Sequence, residues 1–455
     1  MCHHLSWGLR LAEVLELSQR GLAILGRRDS AHRCRLLGYG GITLSVAGYY
    51  SAGFAMIKRA VAMAERIGDD ELLGQEIEAL AIHHLAYGEI RETAKFALKA
   101  AELLRRAGGL WYLVDDLLFA EGALFMTGRT EESLALWHER QPLAERLGRV
   151  ELRWGFDASA TETLLRTGDI HSFELFWKSA AEHALSLQDP GSIWQTHINL
   201  GVVHFWKGRW QEALDSFEEA EKNEAAGAFS GWAPAFILLT RAYIGDGRGA
   251  LAILRRGPSA APEPESRSAS SLLFPMLKAA RSSGLGLTGL LGIIRESRSM
   301  RTRSFLPRRG RRITNGTWTV LLAAVEGLAI AGEKAEAAKL YPVALEGIKT
   351  GALFRPYDFR LLDTLAGIAA GAGENWTQAE EHFRTALRRA EELPHAIEQP
   401  EARRFYARML LDRNAPSDRE KACQLLTEAI EMYRRIGMPK HVELADALLA
   451  QAQGA

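Results

Sequence analysis

The chain has 455 residues, with 56 Lys+Arg matched by 56 Asp+Glu, and 47% of its residues are hydrophobic. The charge balance argues against a generally basic nucleic-acid binder, and the apolar content excludes a charge-driven disordered chain. Forty-two Gly beside 14 Pro are many for an Ala- and Leu-rich sequence, so the placement of the glycines comes first.

The opening stretch MCHHLSWGLRLAEVLELSQR has charges inside any apolar core, so it does not read as a signal peptide. The longest apolar runs, Thr319–Gly332 and Leu285–Ile294, are interrupted by Glu326 or too short to span a bilayer. Cys2, Cys34 and Cys423 stand far apart and form no CxxC pair, which excludes that type of zinc site and a disulfide framework. A soluble, cytoplasmic protein is expected.

Along the chain the glycines are periodic. Gly8, Gly48, Gly88, Gly128, Gly168 and Gly208 recur every 40 residues, and Gly68, Gly108 and Gly148 repeat half a unit away. A fixed period of this size marks stacked supersecondary units. Nine residues after the first glycine of each unit stand Leu17, Ile57, Ala97, Trp137, Trp177 and Phe217. Tyr341, Phe383 and Leu426 take the same place in later units. Three residues further on stand Ala60, Ala100, Ala180, Ala220, Ala344, Ala386 and Ala429, with Arg20, Arg140 and Gly257 as exceptions. Large then small at i and i+3 puts both on one helix face, where the small residue admits a neighbouring helix.

The clearest unit is HINLGVVHFWKGRWQEALDSFEEAEK, from His197 to Lys222. Its Leu200, Gly201, His204, Gly208, Ala213, Phe217 and Ala220 follow the spacing of the tetratricopeptide repeat, with His204 in the Tyr place. The unit resembles that helix–turn–helix repeat. The fold class expected is therefore all-α, a right-handed α-solenoid of about ten such hairpins in one elongated array. The first glycine series makes the turn inside each hairpin, and the second ends helix B. Because the period exceeds that of the usual repeat, either the helices or the loops between units must be longer.

Two irregularities interrupt the array. Fewer than eight residues precede Gly8, so helix A of the first unit is missing. This is expected if the chain is the C-terminal part of a longer protein, or if a lone helix serves as cap. The repeat also fails after Gly257. Arg255–Arg312 holds 12 Arg and one Lys against three Glu, a net +10, and leaves the rest of the chain at −10. The division expected is an array over 1–257, a basic Ser/Arg/Gly/Pro-rich segment over 258–312 and a second array over 313–455. The basic segment reads as a disordered linker, as a compensated frameshift, or as a loop for an acidic partner or nucleic acid. Only Phe305 stands among its arginines, so base stacking has little support.

No catalytic, cofactor or metal site is expected. Gly284, Gly286 and Gly289 spell GxGxxG, but no strand precedes them and no acid lies between Glu296 and Glu326. His83 and His84 are neighbours on a helix, about 100° apart, and poor at holding one metal. His3 and His4 read as solvated residues of a frayed end. Glu380 and Arg384 form an exposed helix-face pair.

Two runs later in the chain, from Trp318 and from Ala379, and GYYSAGFAMIKRAVAMAERIGDD near the start, are similar to one bacterial region. They resemble the C-terminal repeats of signalling proteins that join a class III adenylate/guanylate cyclase to an AAA/STAND ATPase. Helical-repeat regions of STAND-type transcription regulators carry similar arrays. The resemblance implies a non-catalytic interaction and sensor module, with a protein or peptide partner, an attached or separate cyclase/ATPase domain among the candidates. The short apolar runs imply no membrane, and the charge balance disfavours nucleic acid. A stand-alone scaffold is the alternative. Helix A side chains would line the concave groove, with Gln195, Ile198, Asn199, Val202 and Phe205 as the expected contacts of the clearest unit. Ligand binding there would shift the superhelix between curvatures.

Overall fold

A computed structural model describes residues 2–7, 10–87, 89–126, 129–149, 164, 167–188, 190–224, 231–256, 315–349, 351–355, 359–393 and 395–454. The basic segment, the GxGxxG run, Gly8, Gly88 and Gly128 lie outside them. The described chain is all-helical. Its one β pairing there is an antiparallel bridge between Phe354 and Leu361.

The first array comprises α1 (Cys2–Trp7), α2 (Leu11–Leu25), α3 (Ala31–Val46), α4 (Tyr50–Ile67), α5 (Asp70–Tyr87), α6 (Ile90–Ala107), α7 (Leu110–Met126) and α8 (Thr130–Leu147). It continues as α9 (Ile170–Leu187), α10 (Pro190–Trp206), α11 (Trp210–Lys222), α12 (Trp232–Tyr243) and α13 (Gly247–Arg256). The second array holds α14 (Asn315–Ile330), α15 (Lys334–Ala338), α16 (Tyr341–Lys349), α17 (Leu362–Ala372), α18 (Trp376–Glu392), α19 (Glu398–Arg413), α20 (Asp418–Ile436) and α21 (Pro439–Gln453). Most successive helices pack on one another, and next-but-one pairs such as α3 and α5 also touch, as in a helical solenoid.

The long period lies in the helices. α4, α5, α6, α8 and α9 each have 18 residues, and two-residue joints connect α4 to α5 and α6 to α7. Gly68 and Gly108 end helix B at φ +75° with no atom near an added Cβ. The left-handed backbone is what selects glycine there. Gly148 follows at φ +67°, and Gln188 takes that conformation at the joint after it, at φ 52°. A few helix starts are capped from the side chain: Asp69 Oδ1 accepts from Leu72 N at 3.0 Å, and Asp169 Oδ1 from Ser172 N at 3.0 Å.

The large–small pairs form the core as their spacing requires. Ile57, Ala60, Ala97, Ala100, Phe217, Ala220, Phe383, Ala386, Leu426 and Ala429 have no exposed surface. A Cβ on Gly201 would stand 2.4 Å from Phe217 Cε1, so the Leu-Gly of the repeat exists to seat the next helix's aromatic ring. Arg140, an exception to the small-residue rule, is fully buried with its Nε 2.7 Å from Glu121 Oε2.

The arrangement departs from one elongated array. The second array turns back on the first, edge to edge. Cβ atoms on the turn glycines Gly168, Gly208 and Gly245 would meet Leu393, Ile436 and Pro439 respectively. Trp206, at the end of α10, stacks on Phe359 and lies 4.6 Å from the His395 ring. Trp210 donates its indole N–H to the Ile436 carbonyl. One continuous apolar core therefore runs from Leu164 to Ala452. None of the described helices is long and apolar enough to cross a membrane.

Candidate functional site

Helix A of successive units packs side by side, so α3, α5 and α7 present one surface. α5 is surrounded by α3, α4, α6 and α7, and nearly every residue from Leu72 to Ala81 is buried, charged ones included. Glu76 and Glu78 of α5 are 2% and 9% exposed, and Asp115 and Asp116 of α7 are wholly buried. Four carboxyl groups thus lie buried in α5 and α7 of the first array.

Their cations are few. Arg149, just past α8, donates from Nη2 to Asp115 Oδ1 at 2.8 Å and from Nη1 to the Trp111 carbonyl at 2.9 Å. Its guanidinium lies 4.4 Å from the centre of the Trp111 ring. Arg35 spends its Nε on Gln75 Oε1 at 2.7 Å. Neither Asp116 oxygen has a hydrogen-bond partner, nor has Glu76 Oε2. Burial, followed by the Glu78 and Asp115 charges, holds the Asp116 carboxyl well above the ordinary carboxylate range. Burial and then Asp115 do the same to Glu78. Burial pushes Glu76 up to about 8, against a hydrogen bond from Cys34 and the Arg35 charge.

The remaining Asp115 oxygen is occupied from elsewhere in the chain. His3 of α1 places Nε2 2.8 Å from Asp115 Oδ2, the ring N–H donating to the carboxylate. The imidazole meets Tyr39 and Tyr112 edge-on, with ring centres 6.3 and 5.8 Å away. α1 therefore reaches the buried Asp115 with one side chain. His3 is not the solvated end residue its position in the sequence suggests; a carboxylate 112 residues away carries no signal near it. The adjacent histidines also separate. His83 lies 2.8 Å from Ser45 Oγ and stacks on Phe54, and burial depresses it to about 4. His84 meets Glu89 Oε2 at 2.8 Å.

Among the side chains of α10 expected in the groove, Ile198, Val202 and Phe205 lie in the apolar core, 7%, 5% and 3% exposed. Phe205 packs against Trp210 and Tyr243. Gln195 and Asn199 are half-buried, and Asn199 donates to the Gln195 carbonyl at 2.8 Å. Of the turn glycines, Gly48, Gly168 and Gly208 have φ of 91°, 74° and 69°.

A second buried polar cluster supports the junction of the arrays. Arg360 sets Nη1 3.0 Å from Glu398 Oε2 and Nη2 3.3 Å from Glu326 Oε1. Arg404 grips Glu401 through Nη2 at 2.9 and 3.0 Å, and Tyr433 donates its hydroxyl to Glu401. Burial raises Glu401, but the Arg404 and Arg360 charges outweigh it and hold the carboxyl far below its usual range. Glu398 goes the other way, raised by burial to about 7. Each carboxylate here has an arginine, so the cluster is an internal tie rather than an open site. No group of three metal-ligating side chains occurs among the described residues.

No protein-family description and no curated protein matches the sequence. Among solved structures, the chain is similar to yeast Tom70 at 13% identity and a TM-score of 0.32, over 92% of this chain and 96% of that one. It is similar to the TPR domain of P58(IPK) at 13% identity and a TM-score of 0.22, over 93% and 100%.

Proposed function

We propose that the chain is a non-catalytic protein-interaction and sensor module whose first-array surface of α3, α5 and α7 receives a segment of a partner protein. One observation carries the reading. A side chain already crosses that surface: His3 of α1 reaches Asp115. A groove built from stacked helix A faces recognises extended or helical segments through side chains inserted between its helices. Occupancy would bias the solenoid's curvature, and the edge contacts at Gly168, Gly208 and Gly245 would pass that bias to the second array.

The finer reading is a cytoplasmic regulatory repeat region of a cyclase–ATPase signalling protein, with arrays at 1–257 and 313–455 joined by the basic segment 258–312. The resemblance of the three sequence runs supports it. In-frame cyclase and phosphate-loop motifs in the DNA upstream of Met1 are its expected signature, and an upstream stop codon with no such motifs sinks it.

The interaction reading is tested by selecting peptides from a random display library on the full chain and mapping them by amide hydrogen exchange. Protection concentrated in α3, α5 and α7 is expected. Ligands that protect only α18–α21 would show that the surface is wrongly chosen.

A further inference from the structure

We propose that the seam between the two arrays is an acid-released latch: His395 and His441 hold it shut as neutral imidazoles, and their protonation parts the arrays while each array keeps its own fold. The latch stands apart from the interaction reading above and needs no partner.

Both rings lie in the seam, each 1% exposed and each against an aromatic side chain of the opposite array. The His395 ring centre is 4.6 Å from that of Trp206 in α10, and the His441 ring centre is 5.2 Å from that of Tyr243 in α12. The hydrogen bonds of His395 require the neutral ring. Its Nε2 donates to the Phe359 carbonyl at 2.9 Å, and its Nδ1 accepts from Glu398 N at 3.2 Å. A proton on Nδ1 would set two donors face to face. Phe354 and Phe359 pack around that ring, and Arg360 is the charged group beside it. Neither nitrogen of His441 has a hydrogen-bond partner. Its neighbours are Tyr433 of α20, Glu401 and Arg404 of α19, and Arg360. Of these charges Glu401 favours a proton on His441, but it is already bound to Arg404 and Tyr433. Burial therefore prevails and holds His441 down to about 4, and it holds His395 well below its ordinary range.

Opening the seam returns the rings to water, where an imidazole titrates near 6.5. Below that value the open form binds more protons, so closure is complete above it and weakens as pH falls. For His441 alone, the full interval from 6.5 to about 4 is worth a factor of about 300. Acid does not loosen the arrays in the same way. Glu76 and Glu398 are raised by burial to about 8 and about 7, so their protonation favours the folded arrays. Glu174 and Glu380 keep their charge down to about 2.

The test follows the full-length chain from pH 7.5 to 3.5 by small-angle X-ray scattering and by hydrogen exchange corrected for its intrinsic pH dependence. The radius of gyration is expected to rise as pH falls. The ends of α10 and α12 are expected to lose protection while α4–α6 and α20 keep theirs. In His395→Gln/His441→Phe, the glutamine retains a donor and an acceptor and the phenylalanine cannot ionise, so the opening midpoint is expected to move down by at least one pH unit. A chain that stays compact to pH 3.5, an equal midpoint in the variant, or loss of protection in both arrays together with the expansion overturns the latch. Should the double variant fail to close at pH 7.5, His441→Phe decides alone, because it removes no hydrogen bond: an unchanged midpoint overturns the proposal and a lowered one supports it.

Discussion

Glu76→Gln should change how stability depends on pH, with little effect in acid. The Glu76 carboxyl is 2% exposed and lies so close to α3 that a Cβ on Gly38 would stand 2.2 Å from its Oε2. Burial pushes it up to about 8 from an ordinary value of 4.5, and the Cys34 and Arg35 contributions do not reverse this. The unfolded chain therefore releases this proton near pH 4.5, whereas the folded chain keeps it to about 8. Between those values the folded state binds more protons, so stability falls as pH rises, and the contribution is complete only below 4.5. At about 1.4 kcal/mol per pH unit, the whole interval comes to about 5 kcal/mol. Glutamine keeps the shape and cannot ionise. Wild type and variant should be nearly equal at about pH 5, and the variant should be several kcal/mol more stable above about pH 8. Repeat arrays open locally, so the measurement is hydrogen exchange of the α3 and α5 amides, corrected for the intrinsic pH dependence of exchange. Parallel curves for the two proteins from pH 5 to 8.5 would refute the reasoning.

Other substitutions probe the frame. Arg360→Met takes the arginine from Glu326 and Glu398, while Glu401 keeps Arg404, and should cost about 3–5 kcal/mol in urea unfolding at neutral pH, with Glu398→Leu restoring part of the loss. Gly201→Ala drives a methyl to 2.4 Å from the Phe217 ring and should cost about 1–3 kcal/mol, less in a Phe217→Leu background where the ring is gone. Gln188→Gly relieves a left-handed backbone at φ 52° and should stabilise by about 1 kcal/mol, read as a higher denaturation midpoint for α9 and α10.

The repeat itself was legible because its signals are local. A glycine at each left-handed joint and a large–small pair on each helix B are set by short-range geometry, and Ile57 with Ala60 or Phe217 with Ala220 stand where the spacing puts them. The buried carboxyl groups were hidden for the opposite reason. α5 is enclosed on several sides, so its charges follow no exposed stripe, and nothing in the sequence sets Glu76 and Glu78 apart from surface residues. His3 was unreadable because its partner, Asp115, is remote in sequence. The fold-back was equally silent, since Trp206 against Phe359 and His395 is a contact between arrays, and repeat periodicity describes only neighbours. Residues of α10 expected to face an open groove point partly into the core, as Phe205 does against Tyr243.

The edge contacts between the arrays carry a consequence for how such a chain can change. An ordinary solenoid gains or loses a hairpin with only a local adjustment, because each unit knows only its neighbours. Here Gly168, Gly208 and Gly245 are matched against Leu393, Ile436 and Pro439 like the teeth of two combs. Deleting the hairpin between two of those teeth would leave the others out of step. α14 of the second array also packs on α7, so the matching reaches back to the helix that carries Asp115 and Asp116, and duplication or loss of a whole 40-residue cassette is tolerated only ahead of it.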